Sequence, residues 1–211
     1  RYNPTSVALR EVLTSGRLGR IHGARAAVWW SRPADYYTRA PWRGQWQQSG
    51  GGVLINQAIH TLDLLLWLLG PASEVHGVAA NTVHPNVEVE DAATIVLKHA
   101  GGASSTLFAT NTHHTNDDVE LIIDGEFGRA QLKGGRAELI TAEGTELLAT
   151  DAQDSGERSY WGKGHELLIA DFHARLTDPE PFWIDLASGI APLRVLREVY
   201  RQSGLLAGQQ L

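Results

Sequence analysis

The sequence predicts an α+β fold, an open and mainly antiparallel β-sheet with helices packed on one face. Three features carry that prediction. From Ser73 to Thr150 the chain is a series of short alternating runs. They are broken at Ala100-Gly101-Gly102, Asp124-Gly125, Gly134-Gly135 and Glu143-Gly144, the punctuation of hairpins between antiparallel strands. Apolar side chains take alternate positions in many of these runs, as with Val119, Leu121 and Ile123 against Asp118 and Glu120, so one sheet face is set to pack on helices. The stretch from Gly50 to Gly70 opens with three glycines, closes at Gly70-Pro71 and is apolar around most of its circumference, which fits a helix packed on most sides.

Asn3-Pro4-Thr5 leads into a short amphipathic helix, Ser6 to Ser15, where Val7, Leu9, Val12 and Leu13 recur at helical spacing before Gly16. Gly19 to Ser31 alternates through Ile21, Gly23, Arg25, Ala27 and Trp29 and reads as a strand that Arg32-Pro33 ends. Pro33 to Ser49 reads as a loop carrying Tyr36, Tyr37, Trp42 and Trp46, and it runs directly into the Gly50 helix. Strands are expected at Ser73 to Val83, Asp91 to His99, Ala103 to Thr112, Asp118 to Asp124, Arg129 to Lys133, Ala137 to Thr141 and Glu146 to Thr150. Ser155 to Gly164 is a loop with Tyr160, Trp161 and Lys163, and a helix follows from His165 to Leu176. Pro179 to Trp183 is a bend and Ile184 a short strand. Asp185 to Gln202 is a last helix interrupted early by Gly189 and Pro192, and Gly204 to Leu211 is a tail.

With 211 residues and 43% hydrophobic content the chain can bury a real core, as one large domain or two small ones. The formal net charge is -6 and Lys and Arg are scattered, so neither nucleic acid nor an anionic membrane is an expected partner. No cysteine is present, which removes disulfides, thiolate metal sites and a cysteine nucleophile and fits a reducing, cytoplasmic compartment. The longest apolar run, Val53 to Leu69, contains Asn56, Gln57, His60 and Asp63, so it is not expected to span a membrane. Residue 1 is Arg, no secretory pattern follows it and methionine is absent throughout, so the chain is expected to be part of a longer one. Neither G-x-G-x-x-G nor G-x-x-x-x-G-K-[ST] occurs, so nothing marks a dinucleotide or phosphate cradle of its own.

On a uniform helix Asn56, His60, Asp63 and Trp67 fall within roughly 60° of one another. Such a stripe is either a set of satisfied core polar residues, His60 held by Asp63 one turn on, or the wall of a wet cavity. In the second case the imidazole moves protons, the carboxylate tunes it, and the amide holds a hydroxyl or carbonyl. The aromatic loop has a similar pair of readings. Trp42 and Trp46 cap the core, or they offer flat faces to a sugar-like ligand while Arg43 and Gln45 or Gln47 take hydroxyls or acidic groups. Lys163 and His165, at the start of their helix, either reach a ligand or are a solvated helix end. His113-His114 is expected to be loop polarity and not a metal site, because neighbouring side chains on extended chain point opposite ways. Ser104, Thr106 and Thr110 give the second sheet face a polar surface for water or another subunit.

Trp42-Arg43, the run Ser49 to Leu54, Asn56 with His60 and Asp63, Leu68-Leu69-Gly70, Lys163-Gly164-His165-Glu166, Asp171-Phe172 and Tyr200 to Gly204 together resemble the C-terminal domain of the Gfo/Idh/MocA oxidoreductases, the family of glucose-fructose oxidoreductase and inositol dehydrogenase. The resemblance covers nearly the whole chain. It implies a sheet domain of the dihydrodipicolinate reductase and glyceraldehyde-3-phosphate dehydrogenase C-terminal type. Residues 1–211 would be the substrate-binding, catalytic and oligomerisation domain of a two-domain enzyme. NAD or NADP would be bound mainly by an N-terminal Rossmann domain that also carries the catalytic lysine. His60, with Asn56 beside it, would transfer the proton as hydride leaves a sugar, nucleotide sugar or polyol. Trp42, Arg43, Gln57, Asp63, Lys163 and His165 would contact substrate, no metal would be bound, and the open sheet face would make a homodimer or tetramer. One departure stands out: many members have Asp four residues before the histidine, where this chain has Asn56. An amide cannot accept a proton, so Asn56 can position but not act as a base, and the Asn56-Gln57 form resembles the subgroup acting on nucleotide sugars and related pyranosides. Two other readings compete: a non-catalytic binding or dimerisation domain of the same fold, and a metal hydrolase using His60, Asp63, His113 and His114.

Overall fold

The computed structural model describes residues 1–151 and 163–206, so the loop around Tyr160 and Trp161 and the tail beyond Leu206 lie outside the described residues. Its spine is one eight-stranded sheet, ordered β2 (Ala72–Ala80), β3 (Ala92–His99), β4 (Ser104–Thr110), β1 (Ile21–Trp29), β5 (Glu120–Gly125), β6 (Gly128–Lys133), β7 (Arg136–Thr141) and β8 (Gly144–Thr150). Every neighbouring pair is antiparallel except β1 with β4, which run parallel from Gly23 opposite Ser104 to Trp29 opposite Thr110. The sheet is therefore mixed. Hairpin turns report only strands adjacent in sequence, and β1 reaches β4 across more than seventy intervening residues, so no local pattern announces that pair.

Three helices cover one face: α1 (Pro4–Thr14) lies on β6 to β8, α4 (Ile59–Leu69) over β1, and α6 (Leu186–Gln202) on β2, with α4 touching the other two. The strand alternation delivers their core. In β3, Ala93, Ile95 and Leu97 point inward while Thr94, Val96 and Lys98 point out. Leu62 and Leu65 of α4 meet them, fully buried. His99 fastens the far end of α4 to the sheet, its two ring nitrogens 2.8 Å from Gly70 O and 2.8 Å from Ser105 Oγ. The run Trp46–Leu69 has the length and a mean hydropathy, 1.4, of a membrane span, but 56% of it is buried in this packing, as in the core helix of a folded domain.

Several expectations are corrected. Thr110, expected on the open face with Ser104 and Thr106, is only 3% exposed, because its hydroxyl bonds Asp91 O and Thr112 where the chain folds over the strand end. The last helix passes Gly189 and Pro192 without interruption, since Val195, Leu196, Val199 and Tyr200 anchor it below and Asp185 caps its start through Ser188 N. Ile184 is not a strand. The segment Pro33 to Ser49 coils into α2 (Ala34–Thr38), a 3-10 turn (Pro41–Gly44) and α3 (Trp46–Ser49).

Candidate active site

The helix that carries His60 starts against a buried carboxylate. Glu90, 1% exposed, accepts Gly52 N–H at 2.8 Å and Leu54 N–H at 3.0 Å on its side chain and Val53 N–H at 3.0 Å on its carbonyl. One residue thus satisfies three donors that a helix start leaves unpaired, and it puts negative charge at the positive end of the helix dipole. Tyr200 Oη of α6 donates to the same carboxylate at 2.9 Å. Burial pushes the Glu90 carboxyl up, opposed by those N–H groups, and burial together with the Glu90 charge pushes the Tyr200 phenol far up, so Tyr200 remains a donor. The glycines make the contact possible: a Cβ on Gly52 would lie 1.8 Å from Glu90 O, and one on Gly51 2.3 Å from Tyr200 Oη.

After this start the chain makes a π turn, Leu54–Ala58, before α4 proper. The wider turn breaks the uniform 100° spacing assumed for the polar stripe, and π turns of this kind cluster at functional sites. Asn56 turns its amide back to Gly51 O (3.0 Å) and Gly52 O (3.2 Å), which commits Nδ2 to the backbone and leaves Oδ1 as the end that can accept a hydrogen bond from a ligand. Gln57 is turned inward. Its Oε1 accepts Asn111 Nδ2 at 3.0 Å and its Nε2 approaches Tyr36 Oη at 3.4 Å.

His60, the first full turn after the π segment, is exposed. It meets solvent, yet the protein crowded around it makes loss of water the leading influence lowering its pKa. Asp63 opposes that shift and His165 adds to it. The imidazole is therefore held toward its neutral form near pH 7. Asp63 acts on it through charge alone: its two oxygens are taken by Arg1 Nε at 2.8 Å and Nη2 at 2.5 Å. This corrects the expected His60–Asp63 bond, and Trp67, lower on the stripe, is likewise covered by Arg10, 5.4 Å over its ring. His165, near the start of α5 (Gly164–Ala174), is near enough for its charge to act on His60, while Lys163 stands exposed at the helix cap.

A second group surrounds Tyr36. Arg43 donates to Tyr36 O at 3.2 Å and places its guanidinium 4.2 Å from the Tyr36 ring and 5.6 Å from that of Trp42, which is 45% exposed. Trp46 alone caps the core, with its indole N–H on Glu88 O and its ring edge-on to Tyr200. The fold therefore puts Asp63 and His165 within electrostatic reach of His60, and gathers Arg43 and Trp42 about Tyr36, whose hydroxyl Gln57 approaches. His113 lies elsewhere, beside Asp117 and the Trp29 ring, and does not join His60 and Asp63; among the described residues no three side chains assemble a metal site. Sequence reasoning missed Glu90, Tyr200, Asn111 and Arg1. Only Glu90-Asp91, two acids opening an otherwise apolar strand, gave a hint in the sequence.

Residues 6–131 match the GFO/IDH/MocA C-terminal domain. The chain belongs to the GFO/IDH/MocA family. Over 99% of its length it is 31% identical to the putative UDP-kanosamine synthase oxidoreductase subunit of Amycolatopsis mediterranei, of which it spans 64%. The WlbA dehydrogenase of Bordetella pertussis, solved with NADH and UDP-GlcNAcA, superposes with a TM-score of 0.80 at 27% identity, covering 96% of this chain and 60% of that one. A levoglucosan dehydrogenase solved with NADH and levoglucosan shares the fold, with a TM-score of 0.82 at 21% identity over 95% of this chain and 61% of that one. The chain thus spans less than two thirds of each of these family members.

Proposed function

We propose that this chain is the substrate-binding and catalytic domain of a longer NAD(P)-dependent dehydrogenase, cytoplasmic like its composition, that oxidises a hydroxyl of a sugar, nucleotide sugar or polyol. The observation that carries the reading is His60, a solvent-facing imidazole on a buried helix, biased toward its neutral form, in a family whose relatives are dehydrogenases. Neutral His60 takes the hydroxyl proton as the C–H pair departs as hydride, and returns a proton in the reverse direction. Asp63 steadies the imidazolium by charge, and Arg1 fixes Asp63 in turn. Asn56 Oδ1 accepts a hydrogen bond and orients the reacting end, since an amide cannot take the proton. Lys163 and His165 line the rim beside it.

The bound nicotinamide would supply the hydride acceptor. The described residues fit its reacting end, a proton carrier beside an amide oxygen, but they contain no glycine-rich strand-to-helix turn for its pyrophosphate, so its main grip belongs to a separate domain. A second reading, a binding domain without turnover, draws on Asn56, whose amide nitrogen is spent on the backbone.

Turnover of a panel of C-deuterated sugars by the complete enzyme separates the two. Deuterium should pass into the reduced cofactor, and His60→Ala should lower kcat by about 10²–10⁴-fold. Absence of transfer across the panel would favour the binding domain, and an unchanged rate in His60→Ala would remove His60 from the mechanism.

A further inference from the structure

Two arginines, Arg32 and Arg43, lie over one ring, that of Tyr36, with no carboxylate among the described residues in salt-bridge distance of either. Eight arginines among the described residues hold a carboxylate within salt-bridge distance. Arg32 and Arg43 hold none there. Arg32 Nη1 donates to Ser31 O at 2.7 Å and Asn116 Oδ1 at 2.9 Å, and Arg43 Nη1 donates to Tyr36 O at 3.2 Å, all neutral acceptors. A guanidinium carries five N–H donors in a planar fork, so most of each fork is unused. In a chain of net charge -6, two positive groups without a counter-charge in one place call for an explanation.

Aromatic rings hold both of them. Arg32 lies 5.0 Å from the Trp30 ring and 5.4 Å from that of Tyr36; Arg43 lies 4.2 Å from the Tyr36 ring and 5.6 Å from that of Trp42. Because both guanidinium carbons are measured from the Tyr36 centre, at 5.4 and 4.2 Å, they are at most 5.4 + 4.2 = 9.6 Å apart. Two like charges this close repel, and an anion between or across them relieves that repulsion. The rings also fix the forks before any ligand arrives, so less rotamer freedom is lost on binding. The array is joined to the His60 helix, since Tyr36 Oη lies 3.4 Å from the amide of Gln57, three residues before His60.

We propose that Arg32 and Arg43, stacked about Tyr36, bind the acidic group of the substrate, so that the site takes an anionic sugar, one bearing a carboxylate or a phosphoryl group, in preference to a neutral one. A planar guanidinium meets either group with paired hydrogen bonds, which a lysine at the same position cannot do. The proposal rests on the reading of His60 as the centre of a sugar site. It adds Arg32 to that site and assigns its substrate class.

The test is calorimetric titration of the protein with D-glucuronate, glucose 6-phosphate and D-glucose. At least one acid should bind about ten-fold or more tightly than glucose, and Arg32→Gln and Arg43→Gln should each lose most of that preference. Preference for glucuronate alone assigns a carboxylate, and for the phosphate alone a phosphoryl group; either supports the proposal. Arg→Lys at each position should recover only part of the preference. Glucose binding as tightly as both acids, or an acid preference intact in both Gln variants, overturns it. Should those variants unfold, the unsubstituted protein decides: a preference that shrinks as NaCl rises from about 0.05 to about 0.5 M supports the pair, and a salt-independent one overturns it. Binding is read without turnover, so a failure here leaves proton transfer by His60 standing, and an inert His60 leaves the arginine pair standing.

Discussion

His60 is the residue on which the proposed chemistry turns, and its surroundings make a quantitative demand. Crowding by the protein holds its pKa below the ordinary 6.5, with Asp63 pulling it up and His165 pushing it down. An NMR titration of the His60 ring should therefore show a midpoint under 6.5. Asp63→Asn should lower it further, and His165→Gln should raise it. A midpoint at or above 6.5 in the unsubstituted protein would refute that picture. The sign for stability follows: with a lowered folded-state pKa, the unfolded chain binds the extra proton first, so His60 withdraws stability as pH falls from 6.5 through the folded value. The sequence made His60 legible, because a histidine in an apolar helix is conspicuous. It hid the true partner of Asp63, since Arg1 lies 62 residues away and the two meet only when α1 packs on α4.

At the scale of elements, the start of the His60 helix is a lock between Gly51-Gly52, Glu90 and Tyr200. Gly52→Ala would drive a Cβ into the backbone of Glu90, which cannot swing aside as a flexible side chain can. It should destabilise the protein by at least about 3 kcal/mol, measured by urea unfolding. Gly101→Ala, with nothing within 4 Å of the added carbon, should stay within about 0.5 kcal/mol. Equal effects at the two positions would contradict the lock. Glycine punctuation announced a helix start, and it fell where expected. Beyond its place beside Asp91 at the head of an apolar run, nothing local distinguished Glu90, which the fold buries, from Glu88 two residues earlier, which caps Trp46 N at the surface. The π turn was likewise invisible, because a 3.6-residue template has no place for the extra residue.

The whole molecule has one covered sheet face and one open one. A row across the open face runs His76, Val96, Thr106, Arg25, Ile122, Gln131, Glu138 and Leu147 by strand register, mixing apolar with charged side chains. Val78, Val96 and Trp29, at 60%, 43% and 39% exposure, are the apolar part of that face. Such a surface suits a second copy of the chain. Light scattering should give a dimer or larger, and Val96→Asp should shift it toward monomer without lowering the melting temperature. A monomeric mass at every concentration would count against that use of the face. The eight sheet strands and the one-sided packing were written in the alternation of the sequence, whereas the strand expected at Ile184 did not form. The insertion of β1 between β4 and β5 was not, because pairing order across a sheet is settled by how α1, α4 and α6 tile it.

The claim beneath all of this is that His60 carries the proton, and its most direct test is the pH dependence of kcat/KM for sugar oxidation by the complete enzyme, with His60→Asn measured alongside. The account predicts a rate that falls with one proton below an apparent pKa under 6.5, and a His60→Asn rate about 10²–10⁴-fold lower from which that acid limb has vanished. A His60→Asn enzyme that kept both its rate and its acid limb would contradict the account.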